Sequence, residues 1–118
     1  MRIISGKFKG HKLNIPKNFL IRPTTDRFKE SLFSIINSEK YSSNIDGKYF
    51  LDLCSGSGGI GIEAFSRGAK KVYMIDNNQN AINLINKNLS KIELNIELGK
   101  NLFVLKPVSY THLRAHET

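Results

Sequence analysis

Apolar residues recur along this chain with two periods, one typical of strands and one typical of helices. The predicted elements, in chain order, are a strand at 49–54, a helix at 60–67, a strand at 72–75, a helix that Asn77 or Asn78 caps and whose Ile82, Ile85, Leu89 and Ile92 lie along one side, and a weak strand at 96–98 or 102–105. The first strand is almost continuously apolar, which is typical of a buried parallel strand. Strands that alternate with helices in this order predict an α/β fold with a parallel sheet.

Two short β-prone runs precede these elements. Residues 2–5 and 11–15 flank a turn at 6–10 that begins and ends with glycine, so they predict a β-hairpin. A helix follows, which Thr24, Thr25 or Asp26 can cap. Its predicted apolar face consists of Phe28, Leu32, Phe33, Ile35 and Ile36, and its predicted polar side of Arg27, Lys29 and Glu30.

Length and composition are those of a soluble globular domain, with 118 residues, 40% hydrophobic and 24% charged. The pattern divides the chain into an amino-terminal hairpin and helix at 1–45, an α/β part at 46–106 and a tail at 107–118. No run reaches the ~20 apolar residues of a membrane helix and the start lacks a signal peptide, so we expect a cytoplasmic protein. Cys54 is the only cysteine, which predicts a buried free thiol and no disulfide.

Positive charge is concentrated at the amino-terminal end. The formal net charge is +8, and residues 1–25 contain six basic side chains and no acidic one. An even surplus would indicate solubility alone, whereas a stripe at one end is typical of a surface that follows phosphates. The candidate RNA contacts are Arg2, Lys7, Lys9, Lys12 and Arg22.

A glycine loop carries the candidate chemistry. The run Gly56-Ser57-Gly58-Gly59-Ile60-Gly61 matches G-x-G-x-x-G, follows a predicted strand and opens a helix. Asp76, at the end of the next strand, is placed to accept hydrogen bonds from both hydroxyls of a ribose. The alternative is a purely structural glycine turn with an incidental aspartate.

Two ligand classes use this geometry. In dinucleotide enzymes an apolar strand runs directly into the first glycine, and a pyrophosphate meets the helix. Here Asp52 stands before the loop, where a carboxylate repels pyrophosphate but attracts the ammonium group of S-adenosylmethionine. Two rivals stay open: a nicotinamide-dependent oxidoreductase, which shares the loop and Asp76, and a non-catalytic RNA-binding module.

Several motifs together resemble one family, the bacterial S-adenosylmethionine-dependent methyltransferases that modify the exocyclic amine of a guanine in small-subunit ribosomal RNA. The motifs are Arg2-Ile3-Ile4, then Gly6, Gly10 and Leu13, then Arg22-Pro23-Thr24-Thr25-Asp26-Arg27, Lys29-Glu30 and Leu32-Phe33, then Phe50-Leu51-Asp52-Leu53 through Gly61, Glu63-Ala64 and Ser66-Arg67-Gly68-Ala69. The resemblance covers about residues 1–106. It implies the front part of a doubly wound Rossmann-like sheet, preceded by a basic hairpin and one amphipathic helix.

The resemblance also implies roles for single residues. Asp52, Gly56 and Gly58 would hold the methionine end of the cofactor, Asp76 its ribose, and Asn101 the edge of its adenine. The full set of candidate cofactor residues is Asp52, Gly56, Ser57, Gly58, Gly61, Asp76, Asn77 and Asn101. The implied partner is ribosomal RNA or the assembling small subunit, and we expect a monomer that binds no membrane.

The chain departs from the family at its carboxyl-terminal end. The family's Asp-Pro-Pro-aromatic or Asn-Pro-Pro-aromatic motif, which holds the target amine and stacks on the base, is absent, so we assign no catalytic residue. Residues 107–118 resemble translated adapter sequence, and we interpret them as a non-native tail. His112 and His116 have the spacing of a metal pair, but no third ligand is evident, so we predict no metal site. We expect this truncated chain to bind the cofactor weakly and to be inactive.

Overall fold

A parallel sheet with helices packed against it forms the centre of the molecule. The computed structural model describes residues 1–16, 25–38, 44–53, 55–92 and 101–107. The elements in these ranges are α1 (Asp26–Ile36), β1 (Tyr49–Leu53), α2 (Gly59–Ser66), β2 (Lys71–Ile75), α3 (Gln79–Lys91) and β3 (Leu102–Leu105). None of these helices has the length and apolar character needed to cross a membrane. The predictions for Arg22, Cys54, strand 96–98, His112, His116 and the tail beyond 107 lie outside the described residues.

The strands lie in the order β1-β2-β3, and both pairs are parallel. Asp52 is paired with Met74, and Met74 with Val104. The carboxyl ends of β1 and β2 therefore meet at one edge. Helix α2 connects β1 to its neighbour β2, and helix α3 connects β2 to its neighbour β3. The predicted α/β fold is confirmed, as are the Asn78 cap of α3 and the strand at 102–105.

The described helices cover one face of this sheet. Val72, Met74 and Leu102 are buried together with apolar residues of α2 and α3. On the other face, the three alternate residues Tyr49, Leu51 and Leu53 are exposed. The prediction of a fully buried first strand is therefore wrong for β1 in the described residues, because its burial alternates along the strand.

Helix α1 packs through only part of the face that its apolar residues predict: Phe33 and Ile36 point toward the core, but Ile35 is more than half exposed. The Thr25 hydroxyl accepts a hydrogen bond from the Phe28 amide and caps the helix, as expected. Phe33 is fully buried, but Phe28 is more than half exposed, and Lys29 is fully buried instead. The predicted assignment of Phe28 to the apolar face and Lys29 to the polar side is wrong, because Lys29 finds buried acceptors on its inner side.

Candidate functional site

The glycine loop closes over the carboxyl end of β2. After β1, the Ser55 amide donates to the Ile75 carbonyl oxygen at 3.0 Å, which continues the contact between the two strands beyond their last residues. The Gly58 amide then turns back to the Ser55 carbonyl oxygen at 2.8 Å. This tight turn delivers the chain into α2, so the amino end of that helix faces the edge where β1 and β2 end.

Asp76 fixes the loop from the neighbouring strand. Its Oδ2 accepts a hydrogen bond from the Gly56 amide at 2.9 Å, and its Oδ1 accepts one from the Asn78 amide at 2.9 Å. The carboxylate therefore joins the glycine loop to the start of α3. Because each carboxylate oxygen can accept a second hydrogen bond, Asp76 retains acceptor capacity for ligand hydroxyls.

Asp52 presents a buried carboxylate beneath the same loop. Its Oδ2 is buried, and no described residue donates a hydrogen bond to it. Burial raises the pKa of Asp52 above its ordinary value of 3.8, the Ser55 hydroxyl and the Gly61 amide lower this pKa, and the nearby Asp76 carboxylate raises it further. A buried polar atom without a partner is costly, so the site is suited to a ligand that brings a positive hydrogen-bond donor.

The other loop residues shape the turn through packing. A Cβ atom added to Gly61 would lie 2.5 Å from Met74 Cγ, so the glycine lets α2 approach β2 closely. Gly58 has φ +86° and faces Ile62 and Ile85. Ser57 is also buried. Close packing against the core therefore explains why Gly58 and Gly61 are glycines.

The two remaining cofactor candidates lie at opposite edges of the sheet. Asn77 is exposed and directly follows Asp76, so it belongs to the edge with the glycine loop. Asn101 precedes β3, its carbonyl oxygen accepts from the Val72 amide at 2.9 Å, and its side-chain amide is 3.5 Å from the Lys70 carbonyl oxygen. These contacts place it at the amino ends of the strands. The structure therefore separates Asn101 from the other candidates and does not support an adenine contact there.

The amino-terminal hairpin, residues 1–15, is attached along α2. It has the cross-strand hydrogen bonds of a hairpin, including one from the Ile3 amide to the His11 carbonyl oxygen at 2.9 Å, but forms only an isolated bridge between Arg2 and Lys12 rather than a regular ladder. The Ile4 and Ser5 amides donate to the Glu63 carboxylate at 2.9 and 3.1 Å, which attaches the hairpin to α2.

Glu63 was missed as a functional candidate, although the sequence contains a sign of its role. It is the single charged residue in α2, whose other residues are apolar or small, and it is fully buried. A carboxylate at such a position needs donors from elsewhere in the chain. The structure supplies them from the hairpin, from α1 through Lys29, and from Arg67.

The predicted RNA contacts in the described part of the hairpin are exposed. Arg2, Lys7, Lys9 and Lys12 all reach the surface. Arg2 forms an ion pair with Asp26 at 3.3 Å, and the Lys7 ammonium lies 4.1 Å from the centre of the Phe65 ring. An open cleft of about 510 Å³ lies between hairpin and α1, lined by Met1, Arg2, Gly10, Lys12 and Asp26.

Comparison with known proteins identifies relatives over most of the chain. A family described as "Conserved hypothetical protein 95" matches residues 1–108. The Bacillus subtilis protein named "Putative rRNA methyltransferase YlbH" is 44% identical over 94 residues, which are 80% of this chain and 48% of that protein. The Haemophilus influenzae "Ribosomal RNA small subunit methyltransferase D" is 37% identical over 97 residues, which are 82% of this chain and 48% of that protein.

Solved structures give the same result for the fold. The structure described as "Putative methyltransferase yhhF from Escherichia coli" superposes with a TM-score of 0.70 and 29% identity, and covers 96% of this chain and 55% of that chain. The present chain thus spans about half the length of the curated relatives that it matches.

Proposed function

This chain belongs to the family described as "Conserved hypothetical protein 95", and from this membership and the site geometry we propose that its function is S-adenosylmethionine-dependent methylation of ribosomal RNA. The proposed target is the exocyclic amine of a guanine in the small-subunit RNA. Names of relatives over 79–82% of the chain support the reaction class. The observation that carries the proposal is the buried Oδ2 of Asp52 beneath the glycine loop, to which no described residue donates a hydrogen bond.

The residues at this edge fit the proposed cofactor group by group. Asp52 offers the ammonium of the methionine part a carboxylate oxygen that has no partner among the described residues, and a charge-assisted hydrogen bond is about twice as strong as a neutral one. Asp76 and the exposed Asn77 beside it would hold the ribose. Gly56, Ser57, Gly58 and Gly61 would shape the loop and hold its backbone in place.

The bound cofactor would supply an activated methyl group on its sulfonium, and the protein would supply position. Asp52 would fix one end of the cofactor and Asp76 another, so that the methyl group keeps one direction. The hydrogen bond from the Gly56 amide to Asp76 would help to keep the loop that follows Asp52 in place beside Asp76. No described side chain is proposed to take up a proton.

We do not assign to this chain any residue that holds the guanine amine, which accepts the methyl group. Its three prolines, Pro16, Pro23 and Pro107, are not adjacent to one another, so it contains no Asp-Pro-Pro-aromatic motif to hold a guanine amine. We therefore propose that the 118-residue chain binds the cofactor without turnover. Methyl transfer to small-subunit RNA by the isolated chain would contradict this part of the proposal.

The proposed RNA surface is the amino-terminal hairpin. Its basic side chains are exposed, and two of them, Arg2 and Lys12, line the cleft beside α1. Their role would be to orient the RNA through its phosphates. Arg22 would extend this surface, but it lies outside the described residues. Sequence choice would come from groups that contact bases.

Isothermal titration calorimetry tests the cofactor class. We expect heat from S-adenosylmethionine and none from NAD or NADP, and a loss of affinity of at least about tenfold in Asp52→Asn, because one charge-assisted hydrogen bond is lost. Asp46→Asn is the matched control, since it removes an exposed carboxylate elsewhere in the chain. Heat from a dinucleotide would favour the oxidoreductase, and salt-sensitive RNA binding with no heat from any cofactor would favour the RNA-binding module.

A further inference from the structure

A single buried side chain joins the amino-terminal hairpin to the glycine loop. Asn88 of α3 is fully buried. Its Oδ1 accepts a hydrogen bond from the Asn14 amide at 2.6 Å. Its Nδ2 donates to the Asn14 carbonyl oxygen at 3.1 Å and to the Ser57 carbonyl oxygen at 3.2 Å. One side chain therefore holds both backbone groups of one hairpin residue and one carbonyl of the loop.

This pattern uses the asymmetry of a carboxamide. The acceptor oxygen meets the one available N–H, and the two N–H groups of the amide nitrogen meet two carbonyl oxygens. Neighbouring core positions on α3, such as Ile85 and Leu89, are apolar. Loss of the amide would leave three buried or half-buried backbone groups without this partner. This position therefore requires a carboxamide, whereas apolar packing alone would be satisfied by an apolar side chain.

The held carbonyl lies at the centre of the candidate site. Ser57 stands between Gly56, whose amide is bound by Asp76, and Gly58, which precedes α2. A second contact comes from Met1 of the hairpin, whose Sδ is 3.9 Å from Ser57 Oγ. The hairpin that carries the exposed basic side chains is thus in direct contact with the loop.

We propose that Asn88 is a positioning residue that couples the amino-terminal hairpin to the cofactor loop, so that docking of the hairpin strengthens cofactor binding. This inference rests on the proposed function for its ligand, S-adenosylmethionine. By thermodynamic reciprocity, cofactor binding stabilises the docked hairpin by the same factor, and RNA held by the hairpin and cofactor held by the loop would favour each other.

The sharpest test changes the hairpin side of the link and leaves Asn88 intact. Asn14→Pro removes the amide N–H that Asn88 accepts, whereas the matched control Asn14→Ala keeps it. We expect calorimetry with S-adenosylmethionine to give an affinity about five- to twentyfold weaker for Asn14→Pro, and an affinity within about twofold of the unchanged chain for Asn14→Ala. Equal affinities for both variants would overturn the inference.

A double-substitution cycle separates coupling from general loss of stability. Asn88→Ala should weaken cofactor binding, and adding Asn14→Pro to it should cause little further loss, because both changes break the same link. Additive losses would contradict the coupling. Asn83→Ala, an exposed change on the same helix, should leave the affinity unchanged.

Amide hydrogen exchange gives a readout that needs no cofactor. In Asn14→Pro the Gly56 and Gly58 amides should exchange at least about tenfold faster, while amides of β2 keep their rates, because the coupling acts locally. A uniform acceleration, or none in the loop, would overturn the inference. If the unchanged chain gave no heat with S-adenosylmethionine, the proposed function would fail, and the exchange experiment alone would decide the coupling.

Discussion

The Lys29 ammonium nitrogen lies 3.5 Å from Oε1 of Glu63, and both side chains are fully buried. Lys29 also donates to the Arg2 carbonyl oxygen, and Arg67 Nε lies 2.9 Å from the other oxygen of the Glu63 carboxylate. Helix α1, helix α2 and the amino-terminal hairpin therefore meet at one ionic group. Their relative positions depend on a charge that has been withdrawn from water.

Glu63→Gln tests this group. The substitution keeps the size of the side chain but leaves the Lys29 charge buried without its anionic partner, so we expect the free energy of unfolding to fall by about 3–5 kcal/mol. Urea denaturation followed by circular dichroism measures the change. Glu30→Gln, at an exposed position of α1, is the control and should shift the free energy by less than about 0.5 kcal/mol. Equal effects of the two substitutions would refute the structural role of Glu63.

Two glycines of the hairpin share one backbone conformation but have different surroundings. Gly6 and Gly10 have φ of +88° and +91°, so alanine is strained at both. An added Cβ at Gly6 would overlap the Ser66 carbonyl oxygen, whereas at Gly10 it would meet no atom within 4 Å. We expect Gly6→Ala to lower the free energy of unfolding by about 1–3 kcal/mol more than Gly10→Ala. Urea titration of both variants checks this, and equal losses would mean that the hairpin is not seated on Ser66.

The pH dependence of cofactor binding should follow Asp52. Because burial raises its pKa, part of the population carries a neutral Asp52 at pH values above 3.8, and only the ionised form attracts an ammonium group. The affinity for S-adenosylmethionine should therefore rise as the pH rises through the raised pKa, by at most about tenfold per pH unit. Calorimetry over a pH series measures this rise. Asp52→Asn should bind weakly and lose that pH dependence, and an unchanged pH profile would exclude Asp52 as the ammonium partner.

The sign for stability is the opposite. Without ligand, the folded chain binds the Asp52 proton more tightly than the unfolded chain, so this residue's contribution to stability is present at low pH and is lost as the pH rises through its raised pKa. Comparison of the unfolding free energies of the unchanged chain and Asp52→Asn over the same pH series isolates this contribution. A difference that does not vary with pH would contradict it.

Local patterns predicted most of the described elements correctly. The helical spacing of Ile82, Ile85 and Leu89 and the cap at Asn78 lie within one short stretch, and the structure has the helix there. The meeting of Asp52, Gly56 and Asp76 was also predictable, because parallel strands place their carboxyl ends at one edge. Both predictions require only the local sequence pattern and the fact that parallel strands end at the same edge of a sheet.

Features that depend on distant partners were not predictable in this way. Lys29 is buried because Glu63 and the Arg2 carbonyl accept from it, and neither contact is visible in the helical pattern of α1. The role of Asn101 was inferred from the family resemblance, and the pattern of the chain left two positions for the third strand; the observed strand begins at Leu102, which puts Asn101 at the amino edge of the sheet. The one-sided burial of β1 likewise follows from which elements pack on the sheet.

The ion pair between Arg2 and Asp26 lies beside the proposed RNA surface. Asp26 lines the cleft and would compete with RNA phosphate for Arg2, so Asp26→Asn should bind RNA about two- to fivefold more tightly, the range expected for loss of an exposed pair. Lys12→Gln should weaken binding and reduce the dependence of log affinity on log salt by about one unit. Lys87→Gln removes the same charge from the exposed side of α3 and controls for net charge alone. Fluorescence anisotropy with a labelled fragment of small-subunit RNA at several salt concentrations distinguishes the cases. If Asp26→Asn weakened binding, or if Lys87→Gln matched Lys12→Gln, the cleft would not be the place where RNA phosphates bind.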